Sequence, residues 1–257
     1  MEKIVATPLD TKKELLRKSG RTGHEAPIRK TFVQQGTRAT PQPGPLAELV
    51  RRHDKLALDL YLLMRAAASA APYAVRRPAA VWARALGLPP GASSGSRVSK
   101  AWERLERLKL VKRGKYKRWA EITTLREDGS GDEYTPPGSP DTPKDTYLKV
   151  SFDYWYQGCD ETLSLPAKAT LLIALSLRDW FILPSEKAPA WYGLSADTIG
   201  RGLVDLQRAG LLERKKEWKK APLAPLGYTE EYHYRLRHPF RPRRKAVAPG
   251  TADASET

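Results

Sequence analysis

Ser94–Arg113 runs SGSRVSKAWERLERLKLVKR. A serine ahead of an apolar-periodic run marks a helix start, so Ser94 is the expected N-cap. At 3.6 residues per turn, Val98, Ala101, Trp102, Leu105 and Leu108 share one face. Arg97, Lys100, Arg104 and Arg107 share an adjoining face, roughly a third of a turn away. The apolar stripe docks the helix, and the basic stripe faces outward as four cations. Leu110-Val111 then opens a strand, and Lys112-Arg113-Gly114-Lys115-Tyr116-Lys117-Arg118 is expected to be a basic hairpin tip. Arg suits guanine because its fork meets two acceptors. Lys112, Arg113, Lys115, Lys117 and Arg118 are suited to holding the phosphate backbone.

The same grammar recurs about a hundred residues later in Ser195–Arg214, SADTIGRGLVDLQRAGLLER. Leu105-x-Arg107-x-x-Leu110-Val111-x-Arg113 is matched by Leu206-x-Arg208-x-x-Leu211-Leu212-x-Arg214. A chance amphipathic helix need not recur with its strand attached, so the repeat carries more weight than either half. The expected fold is α+β, mainly helical, with two tandem winged helix-turn-helix domains and basic flexible tails. Residues 1–43 are expected as a basic flexible arm, 44–127 as the first domain and 128–146 as a linker. The second domain spans 147–238, and 239–257 is expected to be a basic disordered tail. Around the repeats, the pattern predicts a short helix over 10–18 capped by Thr11 and one or two helices over 45–71. A helix opened by Pro78, a helix over 165–178 behind Ser164, and wing strands over 211–218 and 228–236 complete it.

With 257 residues the chain has room for two small domains. Its net charge of +16, from 45 Lys and Arg against 29 Asp and Glu, favours a polyanionic partner, nucleic acid first. The single cysteine, Cys159, excludes an internal disulfide framework and points to a reducing, cytoplasmic setting, and abundant Ala, Arg, Pro and Gly suggest that this is the cytoplasm of a bacterial host. No run approaches the ~20 apolar residues of a membrane span, and no secretory signal is read at the start.

Active-site chemistry finds no footing in the sequence. His24, His53, His233 and His238 do not keep metal-ligand spacing with each other or with Cys159. No glycine-rich phosphate loop and no nucleophile elbow is present. A non-enzyme without cofactor, metal or small-molecule substrate is expected, with double-stranded DNA as partner and no membrane.

The second repeat differs where the first is most basic. Thr198, Arg201, Asp205 and Arg208 stand where the first has Arg97, Lys100, Arg104 and Arg107. A carboxylate in mid-stripe repels phosphate. The helix therefore either reads bases with fewer phosphate contacts or faces a protein, and Arg214, Lys215, Lys216, Lys219 and Lys220 keep its wing basic. Asp205 with Trp191, Tyr192 and Trp218 is the candidate protein-binding set; core packing is the commoner fate of such aromatics.

The second domain resembles helix-turn-helix proteins of actinobacteria and their phages and plasmids. The likeness lies in Leu163-Ser164-Leu165-Pro166-Ala167-Lys168-Ala169 and in Trp191-Tyr192-Gly193-Leu194-Ser195-Ala196-Asp197-Thr198. The first domain resembles their companion half through residues 80–88, AVWARALGL, and 125–131, LREDGSG. In overall likeness, the architecture and basic arms resemble recombination directionality factors of actinobacterial phages with large serine integrases. That resemblance implies binding to a serine integrase and favouring excision (attL × attR) over integration. The other expectation is a sequence-specific DNA binder, either a transcription regulator or a plasmid-type replication initiator.

Overall fold

The computed structural model describes residues 5–37, 39–138 and 145–241. Among them are ten α-helices and ten β-strands in small antiparallel sheets, an α+β fold.

The N-terminal segment departs most from expectation. Helix α1 (Pro8–Lys18) is capped by Thr7, whose hydroxyl accepts the Asp10 N–H at 3.1 Å while Asp10 accepts the Thr7 N–H at 2.9 Å. This capping box displaces the cap from Thr11, which lies one turn inside. Strand β1 (Glu25–Arg29) follows, then β2 (Gln34–Gly36), β3 (Pro41–Pro43) and α2 (Leu46–Arg51). Leu15, Leu16, Ala26, Ile28, Phe32 and Val33 are all buried. The expected flexible arm is therefore corrected over its described part. Its few apolar side chains fill space left by the helices, and two of its cations, Lys12 and Arg29, are buried against acids from distant elements.

The next elements are α3 (Lys55–Ala67), β4 (Ala74–Arg76), α4 (Ala79–Ala85), α5 (Ala92–Arg107), β5 (Val111–Tyr116) and β6 (Trp119–Thr124). Their sheet has the order β4-β6-β5. Strand β7 (Tyr147–Ser151) pairs antiparallel with β1, Glu25 opposite Ser151, and leads into the short helices α6 (Asp153–Tyr156) and α7 (Cys159–Thr162). The final elements are α8 (Leu165–Ser176), β8 (Phe181–Ile182), α9 (Ala188–Tyr192), α10 (Ala196–Arg208), β9 (Leu212–Lys220) and β10 (Tyr228–Leu236), with sheet order β8-β10-β9. The order helix–strand–helix–helix–strand–strand thus runs twice, each time with its last strand in the middle of a three-stranded sheet. The first strand of each trio, three residues in β4 and two in β8, is too short to leave an alternating pattern in the sequence.

One contiguous hydrophobic core takes in both repeats and the N-terminal segment. The expected linker contributes as well: Leu125 bridges Glu133, and Tyr134 is buried under the Arg65 guanidinium, 4.0 Å from its ring centre. Fully buried Glu127 accepts from Arg29 at 2.7 Å and from Arg65 at 3.3 Å, tying β1 and α3 to this segment. The linker's residues 139–144, and 242–257 of the expected tail, lie outside the described residues. The tail's start is not free: Phe240 is buried against Tyr154.

A second buried charge cluster joins the repeats. Lys12 pairs with Asp160 at 2.5 Å and Glu161 at 2.6 Å, Lys55 pairs with Asp59 at 2.8 Å, and Lys168 contacts Asp59 and the Asp160 carbonyl. Buried charges persist only when paired, and this set spans α1, α3, α7 and α8. Burial pushes the Lys168 ammonium down to about 8 against the pull of Asp59. Close approach also needs Gly202, where an added Cβ would sit 2.1 Å from the Thr170 hydroxyl, so α10 crosses α8 in near backbone contact. No helix among the described residues is long and apolar enough to cross a membrane.

Candidate nucleic-acid interface

Helix α5 forms where the apolar spacing requires: Val98, Ala101, Trp102 and Leu105 are buried, with Trp102 edge-on to Trp82 of α4 at 5.6 Å. It starts earlier than its serines suggest. Gly91, at φ 135°, holds the N-cap position, and buried Ser94 lies inside the first turn. No side chain caps the helix, and Gly91, Ala92, Ser93 and Ser96 at its start are exposed. An uncapped N-terminus with its positive dipole end favours a phosphate oxygen.

The four expected cations divide into three kinds. Arg97 and Lys100, in the N-terminal half, are exposed and make no ion pair among the described residues. Arg107 is exposed but bonded to Glu103. Arg104 turns inward and holds Asp54 with two N–H groups, one at 2.9 Å. Asp54 is itself the N-cap of α3, accepting the Ala57 N–H at 3.1 Å. The bond to Asp54 raises the Arg104 pKa above the ordinary value, and its role is to lock α5 to the start of α3.

The β5–β6 hairpin carries the rest of the basic surface. Its strands run to Tyr116 opposite Trp119, so the turn is Lys117-Arg118 alone, with Lys117 at φ 53°. Lys112, Lys115, Lys117 and Arg118 are exposed without an acidic partner among the described residues. Lys117 lies 5.7 Å from the Tyr116 ring centre and Arg118 5.4 Å from that of Trp119. Arg113 instead binds Glu106 at 2.6 Å through its side chain and 2.8 Å through its backbone N–H. Burial opposes the charge on Glu106, but these two bonds outweigh it and hold the carboxyl below its usual range. The surface that remains is Arg97, Lys100, Lys112, Lys115, Lys117 and Arg118 beside the open end of α5. Arg76 of β4, unnoticed in the sequence, braces it from 4.3 Å above Tyr116.

The second repeat has the same parts with most of their charges already paired. Ser195 caps α10 by accepting the Thr198 N–H at 3.1 Å, and the Thr198 hydroxyl sits 2.8 Å from Ser195, so Thr198 belongs to the cap. Arg201 pairs with Asp197 at 3.0 Å and Arg208 with Asp205 at 3.9 Å. Lys215 pairs with Glu217, and Lys216 with Glu230 at 2.7 Å. The outward face of α10 is therefore close to neutral.

Asp205 has a structural explanation that spacing alone does not reveal. Its carboxylate accepts from Ser164 at 2.5 Å, and Ser164 is the N-cap of α8, accepting the Ala167 N–H at 3.2 Å. Position 205 corresponds to 104. In both repeats this position grips the N-cap of the first helix: Arg104 on an aspartate cap, Asp205 on a serine cap. The polarity is exchanged while the junction is kept.

Of the three candidate aromatics, Tyr192 is 3% exposed and its phenol is pushed up to about 12 by burial. It is a core residue. Trp191 is half-buried against the core, with Lys187 5.5 Å from its ring centre. Trp218 alone is open, at 59% exposure. Among the described residues no three His, Cys, Asp or Glu side chains form a group suited to a metal ion.

No protein-family model, curated protein or solved structure matches this chain.

Proposed function

We propose that the two repeats are winged helices and that the protein is a non-enzymatic regulator binding duplex DNA through the first. The observation that carries this reading is the pair Arg97 and Lys100, free of acidic partners at the uncapped end of α5, beside a hairpin with four more such cations. A recognition helix meets base edges with its N-terminal residues, and a neighbouring hairpin supplies backbone contacts. The near-neutral face of α10 suits a protein better than phosphate. The most specific form of the proposal is a recombination directionality factor: the first unit holds DNA and the second meets a serine integrase bound beside it, favouring attL × attR recombination.

A second reading draws on the shared core. Two reading heads fixed on one body recognise an asymmetric site without a dimer, as a transcription regulator or plasmid-type initiator requires. A titration on duplex fragments of the protein's own genome against random duplex, at low and near-physiological salt, separates the readings. A site preferred on the order of 10³-fold at the higher salt establishes the direct regulator. Salt-sensitive binding with no preferred fragment supports the accessory factor, and an attL × attR assay with the cognate integrase then decides it. No binding to any duplex refutes both.

A further inference from the structure

Strands β9 and β10 are nine residues each, about 30 Å of ribbon at ~3.3 Å per residue. Only the base of this ribbon is buried, at Leu212, Tyr234 and Leu236. Its far end, Trp218–Tyr228, reads WKKAPLAPLGY and holds two lysines and no acid. The turn is ordered: the Ala221 N–H bonds the Gly227 carbonyl at 2.9 Å, Ala224 bonds Ala221 at 2.9 Å, and Gly227 bonds Ala224 at 2.8 Å. Pro222 and Pro225 stiffen it further.

On this turn Leu223 is 101% exposed and Leu226 71%. Singly exposed leucines are ordinary. Two held out on a stiff turn at the end of a ribbon, with a charged shaft behind them, form a preorganised apolar wedge. The aromatics behind them are engaged. Lys216 lies 4.3 Å from the Trp218 ring centre, and the Tyr228 ring packs perpendicular to it at 4.8 Å. Trp218 and Tyr228 therefore brace the tip and are poorly placed to stack on a base, whereas the leucines are free. Glu217 and Glu230, the acids nearest the tip, are held by Lys215 and Lys216. Lys220, without an acidic partner among the described residues, and Lys219, exposed and 3.8 Å from Glu231, stand at the root of the turn.

We propose that the β9–β10 hairpin is a minor-groove ribbon that inserts Leu223 and Leu226 at a base step and bends duplex DNA. Minor-groove architectural proteins combine cations for the groove with apolar wedges that unstack a step, kinking the duplex toward the major groove. Here Lys219 and Lys220 stand on the β9 side of the wedge, and the acid-free tip meets no repulsion from phosphate. The inference rests on duplex binding by the first unit. Duplex DNA is the occupant favoured over an apolar protein pocket because the tip is basic and continuous with a body that carries the α5 cation surface.

The test uses the full chain and a duplex of roughly 30 base pairs, short against the ~150-base-pair persistence length, labelled at both ends. Energy transfer between the ends reads bending, 2-aminopurine fluorescence reads unstacking, and anisotropy reads binding. Wild type is expected to raise the first two signals. Leu223→Ala/Leu226→Ala is expected to lose both while affinity falls about tenfold or less, because the bending cost disappears with the contacts it permitted. Both substitutions sit in solvent, and an unchanged melting temperature verifies the fold. A duplex bound but left straight by wild type, or bent equally by the double variant, overturns this inference alone. Failure to bind any duplex overturns the proposed function with it. Wild type that sediments with anionic phospholipid vesicles, leaves DNA straight and loses the vesicles on the double substitution makes the tip a membrane anchor, which also overturns it.

Discussion

Arg97 and Lys100 differ from Arg104 in a way that one pair of variants measures. All three lie on the same sequence stripe, yet the first two point to solvent and Arg104 is spent on Asp54. On the proposed reading, Arg97→Ala/Lys100→Ala removes two cations from the duplex surface, each worth about 0.9 in the slope of log affinity against log salt where it neutralises a phosphate. The slope flattens by about 1.8, so between roughly 50 and 200 mM salt the variant loses about tenfold less affinity than wild type. Its thermal stability stays within about 0.5 kcal/mol of wild type, as for other surface changes. Arg104→Ala has the opposite signature. It leaves Asp54, whose side chain is 8% exposed, with only its capping bond, at a cost of about 1–3 kcal/mol. Melting then falls by roughly 2–10 °C in a chain of this size, with no change in salt slope. Fluorescence anisotropy at four or more salt concentrations and a thermal melt read both quantities. An Arg104→Ala protein that melts like wild type and shows the flatter slope would refute the division of the stripe.

Three further outcomes follow from buried charge and from the repeat. Lys12→Ala removes the partner of buried Asp160 and should cost about 3–5 kcal/mol, whereas exposed Lys13→Ala should cost nearly nothing; equal melts would return the N-terminal segment to a loose arm. Lys168 binds its proton more weakly in the folded chain, at about 8, than at its ordinary 10.5. Its burial penalty is complete below pH 8 and is relieved as pH rises to 10.5, by up to about 3 kcal/mol. Wild-type stability in urea should accordingly climb relative to Lys168→Met across that interval, and a flat difference contradicts the assignment. Asp205→Arg should destabilise the α8–α10 junction, and adding Ser164→Asp should recover about 0.5–3 kcal/mol by rebuilding the aspartate cap and arginine of the first repeat. A double-mutant cycle with no coupling would break the proposed equivalence of the two junctions.

Much of the secondary structure was legible because its causes are local. The 3.6-residue spacing of Val98, Ala101, Trp102 and Leu105 places α5, and Ser195 and Ser164 are N-caps as their positions suggest. Alternation around a turn rich in proline fixes β10 at Tyr228–Leu236. The candidate surface was legible only in part. Arg97, Lys100, Lys112, Lys115, Lys117 and Arg118 stand exposed as expected, but Arg104, Arg107 and Arg113 are bonded to Asp54, Glu103 and Glu106. Helical spacing does offer Glu103 to Arg107, one turn away on the same helix, but it says nothing about the acid that another element brings to Arg104 or Arg113.

The sequence by itself determined the repeated helix-and-hairpin grammar, since periodicity, capping and turn chemistry act over a few residues. Tertiary structure decided the fate of the charges. Lys12 sits in a polar, basic segment whose composition is that of a solvated arm, yet it is fully buried because Asp160, 148 positions away in the chain, supplies its counter-charge. Asp205 stands in a cation's place because a serine, 41 positions earlier, caps the helix it meets. A charge is stable in the interior only beside its partner, and which residues become neighbours is settled by the packing of the whole chain.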